Sequence, residues 1–125
     1  MENELSHKII GAAIEVHKTL GGPGLLESIY EAALCQELTL QGYKYERQLP
    51  VQVMYKGTMI KDPLYVDILV QGMVVVEVKA TEKNHPIYET QVLTYLRLTG
   101  KKLGLVINFG NNHVRVGIFR VVNGL

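Results

Sequence analysis

The sequence predicts an α/β or α+β sandwich, with helices packed on a mixed sheet, in a single domain spanning residues 1–125. Three observations point there. Apolar residues recur at helical spacing through the first forty or so positions, the period changes towards two from Tyr43 onward, and a further helical stretch divides the strand-like runs into two groups. A chain of 125 residues can bury roughly two-thirds of its unfolded surface. With 47% of its residues apolar, it can build one core without disulfide staples.

Leu5, Ile9, Ala12, Ala13, Val16 and Leu20 set the first helix, from about Asn3 to Leu20. Gly21-Gly22-Pro23-Gly24 breaks the chain, and a second helix is expected from about Leu25 to Gln41, with Leu26, Ile29, Ala33, Leu34 and Leu38 on its apolar stripe and Gly42 placed to end it. Tyr43 to Tyr55 reads as one long strand, with Pro50 marking an edge or a bulge. Lys56-Gly57 is a turn into a short stretch at Thr58 to Ile60. Two strongly apolar strands follow, Leu64 to Val70 and Met73 to Ala80. Pro86 suits the first turn of a third helix that ends near Gly100. Leu103 to Phe109 reads as a buried strand, and Gly110-Asn111-Asn112 as a turn into a last strand from about His113 to Val122.

Thirteen Lys and Arg against twelve Asp and Glu leave the chain near neutrality, which disfavours a nucleic-acid partner held through a broad basic footprint. Lys56, Lys61 and Lys101-Lys102 offer only local patches. The single cysteine, Cys35, cannot form an intramolecular disulfide and fits a reducing compartment. The polar start Met1-Glu2-Asn3-Glu4 lacks the pattern of a signal peptide, and the longest apolar run is too short for a membrane span. The expected setting is cytoplasmic, with no membrane partner. The apolar first helix permits a homodimer without demanding one.

The chemistry concentrates in the two central strands. Leu64-Tyr65-Val66-Asp67-Ile68-Leu69-Val70 and Met73-Val74-Val75-Val76-Glu77-Val78-Lys79-Ala80 are β-branched runs of the kind covered on both faces, yet they contain two acids and a lysine. A buried carboxylate costs several kcal/mol unless paired, hydrogen-bonded or metal-bound. Alternation puts Glu77 and Lys79 on one face. A two-residue turn at Gln71-Gly72 would pair Val70 with Met73 and turn Glu77 away from Asp67. A three-residue turn, Gln71 to Met73, would pair Val70 with Val74 and set Asp67 opposite Glu77. In that register two carboxylates suit a hard cation such as Mg²⁺ or Mn²⁺, which polarises a phosphoryl oxygen and acidifies water, while Lys79 serves the attacking water or the developing charge. A buried salt bridge from Lys79 to Glu77 or Asp67 is the alternative.

Two helical pairs could complete the site. Glu27 and Tyr30 lie three apart just after the glycine-rich break, although an acid in a first helical turn is also favoured by the macrodipole alone. Gln91 and Tyr95 lie four apart in the third helix, where a helix edge would explain them equally well. His7, His17, His85 and His113 show no metal-ligand spacing. The glycine-rich break lacks the lysine of a phosphate loop and reads as an interhelical turn. Cys35 reads as core, and Tyr43, Tyr45 and Tyr55 as strand packing.

Together these residues resemble a known family. Gly24-Leu25-Leu26-Glu27-Ser28-Ile29-Tyr30 resembles the motif that names the GxxExxY proteins, which are similar to the PD-(D/E)XK nuclease superfamily, nearest its RecB-like branch. The resemblance runs from about Ile9 to Val121. It implies a restriction-endonuclease-like αβββαβ core, here with an extra N-terminal helix and a C-terminal strand. Asp67 resembles the acid of the second core strand, Glu77-Val78-Lys79 the ExK motif, Glu27 the acid of the first core helix, and Gln91 to Tyr95 the QxxxY element. By that resemblance Glu27, Asp67 and Glu77 would bind Mg²⁺ or Mn²⁺, Lys79 would act on the attacking water, and Gln91 and Tyr95, with Tyr30 beside the first acid, would contact substrate. The implied activity is hydrolysis of DNA, with single strands or ends among the substrates, by a metal-activated water. The other reading is a catalytically silent module that keeps the fold and binds nucleic acid or protein. Two departures weaken substrate grip, Tyr65 and Tyr88 where relatives often carry arginine and histidine; Val66 also stands in place of the proline of the literal PD, a position that is loose in the superfamily.

Overall fold

A five-stranded sheet lies between two helices on one face and a third on the other; the computed structural model describes all residues, 1–125. The order along the chain is α1 (Glu2–Thr19), α2 (Glu27–Leu40), β1 (Tyr45–Val51), β2 (Met54–Tyr55), β3 (Thr58–Met59), β4 (Leu64–Val70), β5 (Val74–Lys79), α3 (Pro86–Thr99), β6 (Leu103–Asn108), a 3₁₀ turn (Val114–Gly117) and β7 (Ile118–Val122). Strands stand in the order β1-β4-β5-β6-β7. The only parallel pair is β5 with β6, joined by α3, and every other neighbouring pair in this sheet is antiparallel. The expected αβββαβ core is therefore present, with α1 added before it and β7 after it.

Leu5, Ile9, Ala12, Ala13 and Val16 of α1 join Leu34 and Leu38 of α2 and the even-numbered valines of β5, Val74, Val76 and Val78, in one core. Val92 and Leu96 of α3 pack with Val75, Val106 and Val121 in the other. Burial on both faces is why β5 and β6 read as near-continuous apolar runs rather than as alternating ones. Gly104 lets α3 approach the sheet: a Cβ there would collide with Val92 Cγ1. Pro86 opens α3 and Gly100 closes it in the left-handed conformation, as the punctuation predicts.

Two expected strands differ. The run Tyr43 to Tyr55 is not continuous: β1 stops at Val51, and Met54–Tyr55 pairs with Thr58–Met59 as a separate exposed hairpin. Pro50 lies on the sheet's edge strand, where a missing N–H costs no ladder bond. The last strand begins at Ile118, because Val114–Gly117 winds into a 3₁₀ turn against Asn108. A Cβ on Gly117 would collide with the Asn108 carbonyl oxygen, so this approach is open to glycine alone.

Candidate active site

The β4–β5 hairpin pairs Val70 with Val74, Leu69 with Val75 and Ile68 with Val76. Its turn is therefore three residues, Gln71 to Met73, with Gln71 and Gly72 at φ 53° and 65° and the Met73 N–H donating to the Val70 carbonyl at 2.9 Å. This is the register that brings Asp67 level with Glu77. The backbone ladder stops just short of them, and side chains take over. The Asp67 N–H donates to Glu77 Oε1 at 3.1 Å, and the Val78 N–H donates to Asp67 Oδ2 at 2.8 Å.

The ladder on the other side of β4 is interrupted at the same level. Arg47 pairs with Ile68 and Leu49 with Val66, but Gln48, between them, stands at φ 50° and skips its turn opposite Asp67. Both strands change faces here. Tyr45 and Ile68 pack on the α1–α2 side, while Leu49, Val51 and Val66 pack on the α3 side. Gln48 Nε2 donates to Asp67 Oδ1 at 3.3 Å and to both oxygens of Glu31, at 3.1 and 3.2 Å. Asp67 thus sits in an opened seam of the sheet, with each carboxylate oxygen held by one donor.

Burial dominates the electrostatics. Glu77 is 5% exposed, and burial first, then the charge of Asp67, pushes its carboxyl up to about 8. Burial also raises Glu27; Lys79 and the Ala80 amide draw it back, while Asp67 and Glu31 push it further up. Tyr95 is raised by burial and then by the charges of Glu77 and Asp67. Lys79 makes no ion pair. Its Nζ lies 4.9 Å from the centre of the Tyr88 ring, whose own hydroxyl donates to Thr81 Oγ1. The molecule's one salt bridge joins Arg47 Nη2 to Glu31 Oε2 at 2.9 Å, which removes the Lys79 salt bridge as an explanation of the acids.

Two facing carboxylates, one of them buried and raised by the charge of the other, with no ammonium or guanidinium bound to either, are a donor set suited to a hard divalent cation. No group of three His, Cys, Asp or Glu side chains is assembled to hold a metal. Asp67 and Glu77 therefore stand as a pair of facing carboxylates with no third ligand assembled beside them. Glu27, at the N-terminus of α2, belongs to the same electrostatic cluster, but it does not close a three-acid cage. An open cleft of about 670 Å³, lined by Leu26, Glu27, Ser28, Glu31, Arg47, Gln48 and Asp67, reaches Asp67 from the α2 side, within the size range of small-molecule sites.

The family model of the PD-(D/E)XK nuclease superfamily matches residues 3–121. The chain belongs to that superfamily. No curated protein and no solved structure gives a significant match. PD-(D/E)XK nucleases generally use divalent metals and act on nucleic acid. No helix is long and apolar enough to cross a membrane.

In this PD-(D/E)XK domain the other expected contributors separate. Tyr95 is half-buried against the α3-side core, within the field of Glu77 and Asp67, and Gln91 is exposed one turn earlier on α3. Tyr30 requires a correction. It is fully buried, its ring stacks on Phe109 with centroids 4.6 Å apart, and its hydroxyl donates to the Gly22 carbonyl at 2.7 Å and accepts from the Leu25 N–H at 3.2 Å. It cannot touch substrate. It fastens the glycine-rich turn to the core and so fixes where α2 presents Glu27. Cys35 is core, with its thiol pushed up to about 11 by burial.

Sequence reasoning missed Glu31, Arg47, Gln48 and Asn108. Asn108 is fully buried at the end of β6, beside Lys79 in register. Its Oδ1 accepts from the Thr81 and Gly110 N–H groups, and its Nδ2 donates to Thr81 Oγ1 and Asn84 Oδ1. The network fixes the chain as it leaves Lys79. A polar residue ending the apolar run Leu103 to Ile107 is the available signal for it; Gln48 offers none.

Proposed function

We propose that this protein is a divalent-metal-dependent phosphodiesterase that hydrolyses DNA. The reading rests on one observation: Asp67, half-buried, and Glu77, buried, face each other where the sheet's backbone ladder opens, and neither has a cationic partner. Asp67 and Glu77 would hold the cation, with Glu27 contributing from the head of α2. A Mg²⁺ or Mn²⁺ ion there supplies a Lewis acid for the phosphoryl oxygen and makes a coordinated water more acidic. Lys79, on the same strand face as Glu77 and free of any ion pair, would orient the attacking water or hold the charge that grows on phosphorus-bound oxygen. Tyr95 would orient the backbone from α3, with Gln91 one turn away. The Gly24-to-Tyr30 and Gln91-to-Tyr95 elements support assignment to the GxxExxY proteins and the RecB-like branch.

A second reading, a silent module that binds nucleic acid or protein through this fold, is favoured by the lack of a three-ligand cage and by near-neutral charge. One assay separates them. Labelled single- and double-stranded DNA and RNA are incubated with the protein in Mg²⁺, Mn²⁺ or EDTA. Cleavage of DNA in metal and none in EDTA is the expected result. Binding without cleavage in either metal would transfer the assignment to the silent module.

A further inference from the structure

We infer that Gln48 is a positioning residue for Asp67, anchored by the Glu31–Arg47 pair, and that this side-chain relay sets the direction in which Asp67 presents its carboxylate. The inference rests on the cation-site reading of Asp67. Gln48 adopts φ 50° inside a strand, a conformation that costs a side-chain-bearing residue energy and for which glutamine has no special tolerance. An expense of this kind persists where the surroundings over-determine it. Here the surroundings are identifiable. The turned backbone breaks the β1–β4 ladder opposite Asp67 and brings Nε2 within 3.3 Å of Asp67 Oδ1.

The amide is itself held from behind. Glu31 is 6% exposed, so its charge needs partners. Arg47 donates to Glu31 Oε2 from Nε at 3.1 Å and from Nη2 at 2.9 Å, and Gln48 Nε2 donates to both Glu31 oxygens. The same pairing raises the Arg47 guanidinium's hold on its proton, chiefly through its hydrogen bonds with Glu31. Glu31 is thus tied into β1 by two consecutive residues, and Gln48 carries that fixed point across to Asp67. With Oδ2 held by the Val78 N–H, both Asp67 oxygens are oriented, and each keeps a lone pair for a ligand in the cleft.

The left-handed backbone supplies a clean test. In Gln48→Gly the amide is lost while φ 50° becomes unstrained, so the relief of backbone strain offsets part of the hydrogen bonding lost to Glu31. Gln48→Asn also tolerates that conformation but is one methylene too short to bridge Glu31 and Asp67. Mn²⁺ binding to the full chain without nucleic acid is measured by calorimetry, beside urea unfolding. Both variants are expected to unfold cooperatively near the wild-type urea midpoint and to bind Mn²⁺ roughly tenfold or more weakly, the usual effect of losing a group that orients a metal ligand. Wild-type Mn²⁺ affinity in either folded variant, alongside loss of binding in Asp67→Asn, would overturn the positioning role and leave the cation site standing. Absence of Mn²⁺ binding in the wild type would overturn both.

Discussion

Glu77→Gln is expected to stabilise the metal-free protein at pH 8 while abolishing cleavage. Its carboxyl ordinarily loses its proton near 4.5 and is pushed up to about 8 in the fold, by burial and by Asp67. Above pH 4.5 the unfolded chain sheds this proton, whereas the folded chain keeps it until about pH 8. The folded state therefore binds more protons across that window, and unfolding free energy falls as pH rises through it. Below the window both states are protonated and the penalty is absent. The full penalty, reached above about pH 8, is at most on the order of 5 kcal/mol, since each tenfold change in proton affinity corresponds to about 1.4 kcal/mol. Glutamine keeps an oxygen to accept the Asp67 N–H and carries no charge to desolvate. Urea unfolding in EDTA at pH 5 and pH 8 checks this: wild-type stability should drop between the two, and that of Glu77→Gln should stay nearly level. A divalent ion binding only the folded state should restore the wild type at pH 8. Equal pH dependence in the two proteins would show that Glu77 ionises freely.

Lys79→Ala and Asp67→Asn are expected to separate chemistry from cation binding. Lys79 bonds to neither acid, and its removal takes a positive charge away from the carboxylate pair. Lys79→Ala should therefore bind Mn²⁺ at least as well as the wild type. Its cleavage rate should fall by roughly a thousandfold, within the range of losing a group that stabilises developing charge. Asp67→Asn should lose binding and cleavage together. Single-turnover cleavage rates set beside Mn²⁺ calorimetry check both variants. Cleavage retained in Lys79→Ala would remove the lysine from the mechanism.

The parts of the fold that are legible in the sequence are those with strong local signals. Helical spacing, Pro86 and the glycines after α2 and α3 place three helices, and β-branched density marks β4, β5 and β6 as interior strands. The site's register is legible too, because side-chain alternation leaves few ways for Asp67 to meet Glu77, and the Val70–Val74 pairing is one of them. The rest depends on contacts between residues distant in sequence. Nothing near Gln48 announces a left-handed strand residue, since glycine or asparagine would be the usual sign and the cause lies in Glu31 and Asp67. Helical spacing puts Tyr30 on the same side as Glu27 and so suggests a partner for it. Phe109, at the far end of the chain, turns that side chain into the core. The 3₁₀ turn before β7 follows from the approach of Gly117 to Asn108, which a local pattern does not contain.

The central claim is that the seam between β4 and β5 is a divalent-cation site. Crystals of the protein grown or soaked in Mn²⁺ and measured at a wavelength where manganese scatters anomalously test it directly. The expected result is one strong peak ligated by Asp67 and Glu77, absent from Asp67→Asn crystals. Asp67 and Glu77 bonded to each other with no peak between them at saturating Mn²⁺ and neutral or higher pH would contradict it.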